Sequence, residues 1–284
     1  MTKPIVIHHP LEMQQIAIRE KREGRNIVVV PTMGALHEGH RRLIEKGRES
    51  GDILIVTIFV NPTQFAPSED LARYPRTFEA DRELCAKESV DYIFLPRDED
   101  MYPEDYATWV DVERLGEGLC GKSRPTHFRG VTTVCTKLFL ITQADRAVFG
   151  WKDAQQQIII RRMVRDLNIP IEIIGVETVR EADGLAMSSR NAYLSAEQRQ
   201  QAPVLHRALE EAKMAILSDD TIPAQRLCQM VRDRIERETD GRIDYVECVS
   251  LQNLQAAQTV KPGETLLALA VNFGKTRLID NIRI

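Results

Sequence analysis

The chain has 284 residues, of which 43% are hydrophobic and 28% charged, a composition typical of an ordinary globular protein. Its 38 basic and 42 acidic residues leave a net charge of only −4, so the charge pattern does not point to nucleic acid. Because the N-terminal MTKPIVIHHP has no apolar core of signal-peptide length, and no eighteen uncharged apolar residues run together, we expect a cytoplasmic protein without membrane contact. Five scattered cysteines without a CxxC pair argue against a disulfide framework and against a structural zinc site.

The first 180 residues alternate between strand-like and helix-like segments. Apolar runs predict strands at residues 27–30, 53–60, 90–95, 147–149 and 171–176. Between them, helices are predicted to begin near His37 and to cover residues 78–88, 131–142 and 153–167. Such alternation is typical of an α/β fold with a doubly wound parallel sheet, which binds ligands beyond the carboxyl ends of its strands.

The pattern changes at residues 178–190, TVREADGLAMSSR, which are polar, lack a period and contain Gly184. We interpret this segment as a hinge or an active-site loop. Beyond it, Ser195 is positioned to cap a helix that runs to residue 217, a second helix covers residues 222–238, and residues 245–250 and 266–271 are strand-like. The sequence therefore predicts a sheet domain over residues 1–180 and a smaller α+β domain over residues 181–284.

Residues 31–40, PTMGALHEGH, follow directly on the first buried strand. His37 and His40 are three residues apart at the predicted start of a helix, so they share one helix face and can contact one anion. The helix N-terminus adds unpaired N–H groups and a positive dipole end, and Gly39 lets a nucleotide approach the backbone. The motif thus predicts a phosphate site, although either histidine could instead cap the helix or pack against it.

Polar residues also follow two other predicted strands. Asn61 and Gln64 come after residues 53–60, and their amides could orient a ligand carboxylate or hydroxyl, or could simply satisfy a turn. After residues 147–149, Gly150 permits close approach, and Lys152 stands at a helix start, where a lysine is unfavourable unless an anion binds. Asp153 could cap that helix or accept hydrogen bonds from ribose hydroxyls.

Two further segments contain groups that suit phosphate. Residues 187–190, MSSR, offer two hydroxyls and a guanidinium. Residues 116–123, GEGLCGKS, match the phosphate-binding loop of P-loop kinases, which requires a buried strand before it and a helix that begins at its lysine. Residues 108–113 predict only a half-exposed strand, and Pro125 interrupts the first turn of any following helix. We therefore do not expect this loop to bind phosphate.

Taken together, seven segments resemble the pantothenate synthetase (pantoate–β-alanine ligase) family in the order in which that family carries them. They are PTMGALHEGH, TIFVNPTQF, DLARYPRT, SRPTHFRGV, VFGWKDAQQ, VREADGLAMSSRNAYL and RLIDN, and they extend over almost the whole chain. In this resemblance HEGH corresponds to the HIGH-type signature of adenylyl-transferring nucleotidyltransferases, and MSSR to their second, mobile phosphate-binding signature. The resemblance implies a Rossmann-like N-terminal domain, a smaller C-terminal lid domain and a homodimer.

The resemblance also implies a reaction. (R)-Pantoate and ATP, with Mg²⁺, would give pantoyl adenylate and pyrophosphate, and β-alanine would then displace AMP to give pantothenate. The catalytic residues implied are His37, His40 and Lys152. The ATP-binding residues implied are Met33, His40, Gly150, Lys152, Asp153, Val179, Met187, Ser188, Ser189 and Arg190, and the pantoate-binding residues are Asn61, Gln64 and Gln156. Tyr74 and Arg124 match family positions without an assigned role, and the metal ligands stay unknown.

Two residues depart from the family pattern, because Trp151 stands where Glu or Gln is usual and Ala154 where an aromatic residue is usual. The two exchanges could compensate in volume, but a polar contact at residue 151 would be lost. Four other functions stay open: a related nucleotidyltransferase, a P-loop kinase, a non-catalytic nucleotide-binding protein and a zinc enzyme. The paired Gln64 and Gln156 argue against the first, and the three-residue spacing of the HEGH histidines argues against the last.

Overall fold

The apolar runs of the N-terminal part form a six-stranded parallel sheet in the computed structural model, which describes residues 3–66, 69, 71–218 and 222–284. The strands are β1 (Ile5–Ile7), β2 (Ile27–Thr32), β3 (Ile53–Ile58), β4 (Tyr92–Phe94), β5 (Arg146–Gly150) and β6 (Glu172–Val176). Their order across the sheet is β1-β4-β3-β2-β5-β6, and every neighbouring pair is parallel. The predicted parallel sheet is confirmed.

Helices cover both faces of this sheet. They are α1 (Pro10–Arg22), α2 (Glu38–Glu49), α3 (Phe78–Lys87), α4 (Asp98–Met101), α6 (His127–Thr142) and α7 (Ala154–Asp166), with the four-residue α5 (Cys120–Ser123) between α4 and α6 in the chain. Along β2, Val29 packs in one apolar cluster with Met13 of α1, whereas Val28 packs in another with Ile44 of α2. Because both faces of β2 are buried, its sequence is a continuous apolar run rather than an alternating one.

The order of the strands reverses at β2. Strands β3, β4 and β1 lie on one side of β2, and β5 and β6 lie on the other. The connections therefore diverge between the carboxyl ends of β2 and β5, where doubly wound sheets bind their ligands. Strand β2 ends at Thr32, immediately before Met33, and β5 ends at Gly150. The motif at residues 31–40 thus follows the strand at which the order reverses.

The C-terminal part forms a second sheet, which is antiparallel. Its strands are β7 (Arg242–Ser250), β8 (Thr265–Phe273) and β9 (Thr276–Arg283), in the order β7-β8-β9. Three helices precede it, α8 (Ala196–Gln201), α9 (Val204–Ser218) and α10 (Ala224–Glu238). Leu209 of α9, Leu227 of α10 and Leu269 of β8 are fully buried in one apolar cluster. The smaller α+β part therefore has a core of its own.

The described residues divide into two compact units. The first comprises the residues up to Val112, Arg124–Trp151 and Ile159–Glu177, and the second comprises Glu113–Ser123, Lys152–Ile158 and Thr178–Ile284. The change of sequence pattern at residue 178 coincides with the last of these divisions. A domain boundary between residues 180 and 181 stays a prediction.

Several elements differ from the sequence prediction. Strands β1 and β9 and helix α1 were not predicted from the sequence, and β1 is a three-residue edge strand in which only Ile7 is buried. The half-exposed strand expected at residues 108–113 is wrong, because the main chain of Val110 bonds to the hydroxyl groups of Thr132 and Thr133 instead of to a strand.

The helix expected between residues 195 and 217 is two helices, α8 and α9. Pro203 lies between them and has no N–H group to continue α8. Ser195 does cap α8, in a capping box with Gln198, as its residue type predicts. Asp70, the first residue of the DLARYPRT segment, lies outside the described residues.

Candidate active site

His37 is the N-cap of α2, and the two histidines of HEGH are held by reciprocal hydrogen bonds. The N–H of Gly39 donates to Nδ1 of His37 at 3.1 Å, and the N–H of His37 donates to Nδ1 of His40 at 3.3 Å. The two ring centroids are 4.2 Å apart. Because each Nδ1 accepts, each neutral ring carries its proton on Nε2. The histidines therefore cap the helix, and the same bonds make each Nε2 a donor suited to an anion.

The turn that leads into α2 is held by Asp81. Its carboxylate accepts the N–H groups of Ala35 at 3.0 Å and Leu36 at 2.8 Å, and the residue is only 2% exposed. Gly34 and Ala35 have φ values of +80° and +50°, left-handed conformations that such bonds stabilise. Asp81 was not predicted from the sequence as a residue of the site. The available signal was helical spacing, because Asp81 shares the buried face of α3 with Cys85, four residues later.

Gln64 ends a single 3₁₀ turn, Pro62–Gln64, that follows β3. Its Nε2 donates to Sδ of Met33 at 2.9 Å, and its Oε1 accepts Nδ2 of Asn61 at 3.1 Å. Asn61 is 1% exposed and also donates to the carbonyl oxygen of Gly130 at 3.2 Å. The structure thus brings Met33 and Gln64 together from the ends of two neighbouring strands, with Asn61 orienting the Gln64 amide. A direct contact between Asn61 and a ligand stays a prediction.

The start of α6 supports this glutamine turn. Nδ1 of His127 lies 2.9 Å from the carbonyl oxygen of Gln64, and the guanidinium of Arg124 donates to the same oxygen at 3.3 Å and to Glu69 at 2.8 Å. A Cβ on Gly130 would lie 2.5 Å from the backbone oxygen of Thr63, so only glycine fits. These contacts give the SRPTHFRGV segment and its Arg124 a structural role, which is to hold the turn that carries Gln64. Their role was not predictable from the sequence, since the contacts join residues about 60 positions apart.

Strand β5 ends at Gly150, and a 3₁₀ turn, Trp151–Asp153, leads into α7. Trp151 is half-buried, and its ring centroid lies 5.9 Å from the guanidinium carbon of Arg161. The departure from the family pattern at residue 151 therefore places an aromatic ring against an arginine of the same unit. Lys152 is half-buried, and its carbonyl oxygen accepts Nδ2 of Asn281 at 3.0 Å, whereas Asp153 is exposed.

Three consecutive glutamines lie in the first turns of α7, and only the middle one, Gln156, is not fully buried. Gln155 donates to the carbonyl oxygens of Leu115 at 3.0 Å and Gly118 at 2.9 Å, and accepts the N–H of Cys120 at 3.0 Å. The backbone of the GEGLCGKS loop is therefore bonded to Gln155. With no strand at residues 107–112 and only four residues in α5, this segment lacks the architecture of a P-loop.

Residues 178–190 form an ordered hairpin. The N–H of Met187 donates to the carbonyl oxygen of Val179 at 2.9 Å, and Arg199 pairs with two acidic residues of the segment. Ser188 caps the short 3₁₀ helix Ser189–Tyr193, with its Oγ accepting the N–H of Arg190 at 3.2 Å. The polar, aperiodic composition thus reflects a loop that is closed by its own backbone and fixed by ion pairs.

The predicted site residues fall into two groups, one in each compact unit. Those of the first unit are Met33, His37, His40, Asn61, Gln64 and Gly150, and those of the second are Lys152, Asp153, Gln156, Val179, Met187, Ser188, Ser189 and Arg190. Over the described ranges, no three His, Cys, Asp or Glu side chains form a potential metal site. Over the same ranges, no helix is both long and apolar enough to cross a membrane.

Comparison with known proteins identifies the family of this chain. The family model described as pantoate-beta-alanine ligase matches residues 5–283 of the chain. The chain belongs to the pantoate–β-alanine ligase family. Its members are enzymes, so membership places the chain in the ligase class and argues against both a P-loop kinase and a non-catalytic binding protein.

Individual relatives of this ligase family agree in length and in structure. The pantothenate synthetase of Moorella thermoacetica is 55% identical over 267 residues, 92% of each chain. The crystal structure of pantothenate synthetase from Thermus thermophilus superposes with a TM-score of 0.92 at 41% identity, covering 98% of this chain and 99% of that one. Pantoate-beta-alanine ligase from Francisella tularensis, solved with beta-gamma ATP and beta-alanine, has a TM-score of 0.76 at 31% identity, covering 99% and 97%. The Rossmann-like fold with a smaller C-terminal α+β part is therefore confirmed.

Proposed function

We propose that the chain condenses (R)-pantoate with β-alanine to pantothenate, using ATP and releasing AMP and pyrophosphate. Membership of the pantoate–β-alanine ligase family supports the overall reaction, and the Francisella relative, solved with beta-gamma ATP and beta-alanine, supports these two substrates. The observation that carries the mechanism is the histidine pair at the N-terminus of α2, directly after the strand where the sheet order reverses. Such a position favours an anionic ligand.

In the first step, a carboxylate oxygen of pantoate attacks the α-phosphorus of ATP. The new bond joins that oxygen to the α-phosphorus, the bond from the α-phosphorus to the bridging oxygen breaks, and pyrophosphate leaves with the electron pair. Negative charge grows on the phosphoryl oxygens, so fixed donors accelerate the step more than proton transfer would. We assign the donors to Nε2 of His37 and His40 and the cation to Lys152.

In the second step, the amine of β-alanine attacks the acyl carbon of pantoyl adenylate. The C–N bond forms, the bond from the acyl carbon to the phosphate oxygen breaks, AMP leaves, and the nitrogen loses a proton to solvent. This chemistry needs no nucleophilic side chain. Water would hydrolyse the mixed anhydride, which is the physical reason for a lid, and the lid role of residues 181–284 stays a prediction.

Substrate binding is assigned by the same proposal. For ATP we assign Met33, His40, Gly150, Lys152, Asp153, Val179, Met187, Ser188, Ser189 and Arg190, with Asp153 on the ribose. For pantoate we assign Gln64 and Gln156, with Asn61 orienting the Gln64 amide. The exposure of the two glutamines supports their assignment, since Gln156 is more exposed than its two neighbouring glutamines and Gln64 is not fully buried.

Mg²⁺, the homodimer and the cytoplasm are parts of the proposal that rest on the family resemblance. We propose that Mg²⁺ enters as the ATP complex. Mg²⁺ typically binds substrate phosphates and keeps several of its waters, which suits such an arrangement. Its function would be to offset phosphate charge.

The test is the exchange of labelled pyrophosphate into ATP, measured with and without pantoate and in the absence of β-alanine. A discrete adenylate predicts exchange that requires pantoate alone. If exchange appears only when β-alanine is added, the two-step mechanism is wrong. Exchange that another carboxylic acid supports better than pantoate would favour a related nucleotidyltransferase instead.

A further inference from the structure

The RLIDN segment, residues 277–281, matches the family pattern but has no role in the chemistry described above. It lies on β9, which pairs with β8 along its whole length. Two adjacent polar residues of the segment, Asp280 and Asn281, are 3% and 7% exposed. Because successive side chains of a strand point to opposite faces, the side chains of these two residues contact different segments of the unit.

Asp280 closes the hairpin that carries Ser188–Arg190. Its two carboxylate oxygens accept two guanidinium N–H groups of Arg180, at 2.7 and 3.0 Å. The same guanidinium donates to the carbonyl oxygen of Gly184 at 3.1 Å, and Arg180 pairs with Ala186 as an antiparallel bridge. A bidentate pair of this kind fixes orientation as well as distance. The buried Asp280 carboxylate therefore ties the hairpin to β9, in addition to the ion pairs that Arg199 makes with the same segment.

Asn281 contacts the other phosphate segment of the same unit. Its Nδ2 donates to the carbonyl oxygen of Lys152 at 3.0 Å, across 129 positions of sequence. A main-chain bond at Lys152 restrains the backbone from which the lysine side chain extends. Neighbouring residues on one strand thus restrain the backbone at Lys152 and the hairpin that precedes Ser188.

Stability alone is a weak reason for this arrangement. Burying a carboxylate and a guanidinium has a desolvation penalty that their attraction often only offsets, and apolar residues of similar volume are frequently as stable. The Arg180 and Asp280 side chains are 20% and 3% exposed, so the penalty is substantial. What the pair provides, and an apolar pair would not, is a defined geometry.

We propose that Asp280 and Asn281 are positioning residues for the phosphate site, which together set Lys152 and Ser188–Arg190 relative to one another within the C-terminal unit. The inference rests on the proposed function, because it assumes that both segments act on ATP. In this proposal neither residue contacts substrate. Each acts through another group, Asp280 through Arg180 and Asn281 through the Lys152 backbone.

Two variants and a matched control test this inference by pyrophosphate exchange. Asp280→Asn and Asn281→Leu should each lower the turnover number by about 10²-fold, the effect expected of a displacement of about 1 Å, with KM for pantoate changed less than about threefold. The control is Asp244→Asn, because Asp244 also accepts two N–H groups of an arginine, Arg277 at 2.8 and 3.0 Å, both on one oxygen that also accepts Ser123 Oγ, and it has no bond to Lys152 or to Ser188–Arg190. The turnover number of Asp244→Asn should stay within about threefold of that of the unaltered chain.

Double-variant cycles distinguish positioning from general loss of structure. Asn281→Leu should cause almost no further loss of turnover in a chain that already carries Lys152→Ala. Asp280→Asn should likewise cause almost no further loss in a chain that carries Arg180→Gln, because each pair acts as one unit. Hydrogen exchange in Asp280→Asn should quicken at residues 180–187 and not across α10. Additive effects in both cycles, or a control as defective as the variants, would overturn the inference.

Failure of the proposed function is separately visible. A chain that shows no pantoate-dependent exchange before any substitution refutes the reaction, while the hydrogen-exchange measurement still tests whether Asp280 holds the hairpin. Should Asp280→Asn fail to fold, the Asn281→Leu and Lys152→Ala cycle decides the outcome, since additivity there refutes the inference and its absence supports it.

Discussion

Replacing His37 with asparagine separates the two functions that the structure and the proposed mechanism give this side chain. His37 caps α2 by accepting the N–H of Gly39, and the proposal makes its Nε2 a donor to phosphate. Asparagine is a good N-cap residue, but its shorter side chain cannot place an N–H where Nε2 lies. Alanine can do neither.

The expected magnitudes differ enough to be told apart. His37→Ala removes a capping bond of 3.1 Å and should lower the free energy of unfolding by about 1 kcal/mol, whereas His37→Asn should lower it by less than ~0.5 kcal/mol. Both variants should lose about 10²–10³-fold in turnover, or roughly 3–4 kcal/mol of transition-state stabilisation. Since a domain is stable by ~5–15 kcal/mol, the loss of a cap leaves nearly every molecule folded and cannot explain that defect.

Chemical denaturation and pyrophosphate exchange on the same preparations provide the two measurements. The account predicts that His37→Asn is nearly as stable as the unaltered chain and as inactive as His37→Ala. An asparagine variant that retains near-normal turnover while the alanine variant is unstable would mean that His37 is only a helix cap, and the assignment of a phosphate donor would be refuted.

Three other perturbations address separate parts of the account. Lys152→Ala should reduce pantothenate formation by about 10²–10³-fold, whereas Lys122→Ala should stay within about tenfold, and a reversed pattern would transfer the phosphate site to the GEGLCGKS loop. Asp81→Asn leaves one acceptor for the two backbone N–H groups before α2, so it should lower the free energy of unfolding by about 1–3 kcal/mol, measured by denaturation, and should also lower turnover. A variant with unchanged stability and turnover would show that Asp81 does not hold this turn. Burial, and secondarily Arg180, lowers the pKa of His206 below its ordinary 6.5, so the unfolded chain binds the proton more readily and stability should fall as the pH drops below 6.5. His206→Gln should lessen that fall between about pH 7.5 and 5.5, and an equal slope in both proteins would contradict the assignment.

Local patterns explain why the sequence predicts the sheet and the histidine motif. The continuous apolar run of β2 and the spacing of His37 and His40 both lie within a few neighbouring residues, so period and turn chemistry reveal them. The short β1 has only one buried residue and therefore no such signal. The break between α8 and α9 was missed although Pro203 marks it, because the Ser195 cap predicts a helix before the proline and the apolar spacing of α9 predicts one after it.

Non-local contacts could not be predicted in the same way. Asp81 bonds to a turn 46 positions earlier, and Asn281 bonds to Lys152 across 129 positions. Such bonds depend on how the chain folds back, and they leave no period in the sequence around either partner. The histidine pair, Gln64 and Lys152 were therefore predictable as residue types that follow strands, and Ser188–Arg190 only from the family resemblance, whereas the residues that hold them in place required the structure.

The path of one oxygen atom tests the central claim most directly. Pantoate labelled with ¹⁸O in its carboxylate is incubated with ATP and β-alanine, and the AMP and pyrophosphate are analysed by mass spectrometry. Attack of that carboxylate on the α-phosphorus predicts one labelled oxygen in AMP and none in pyrophosphate. Label in pyrophosphate, or release of unlabelled ADP together with labelled inorganic phosphate, would place the attack at another phosphorus and contradict the adenylate mechanism.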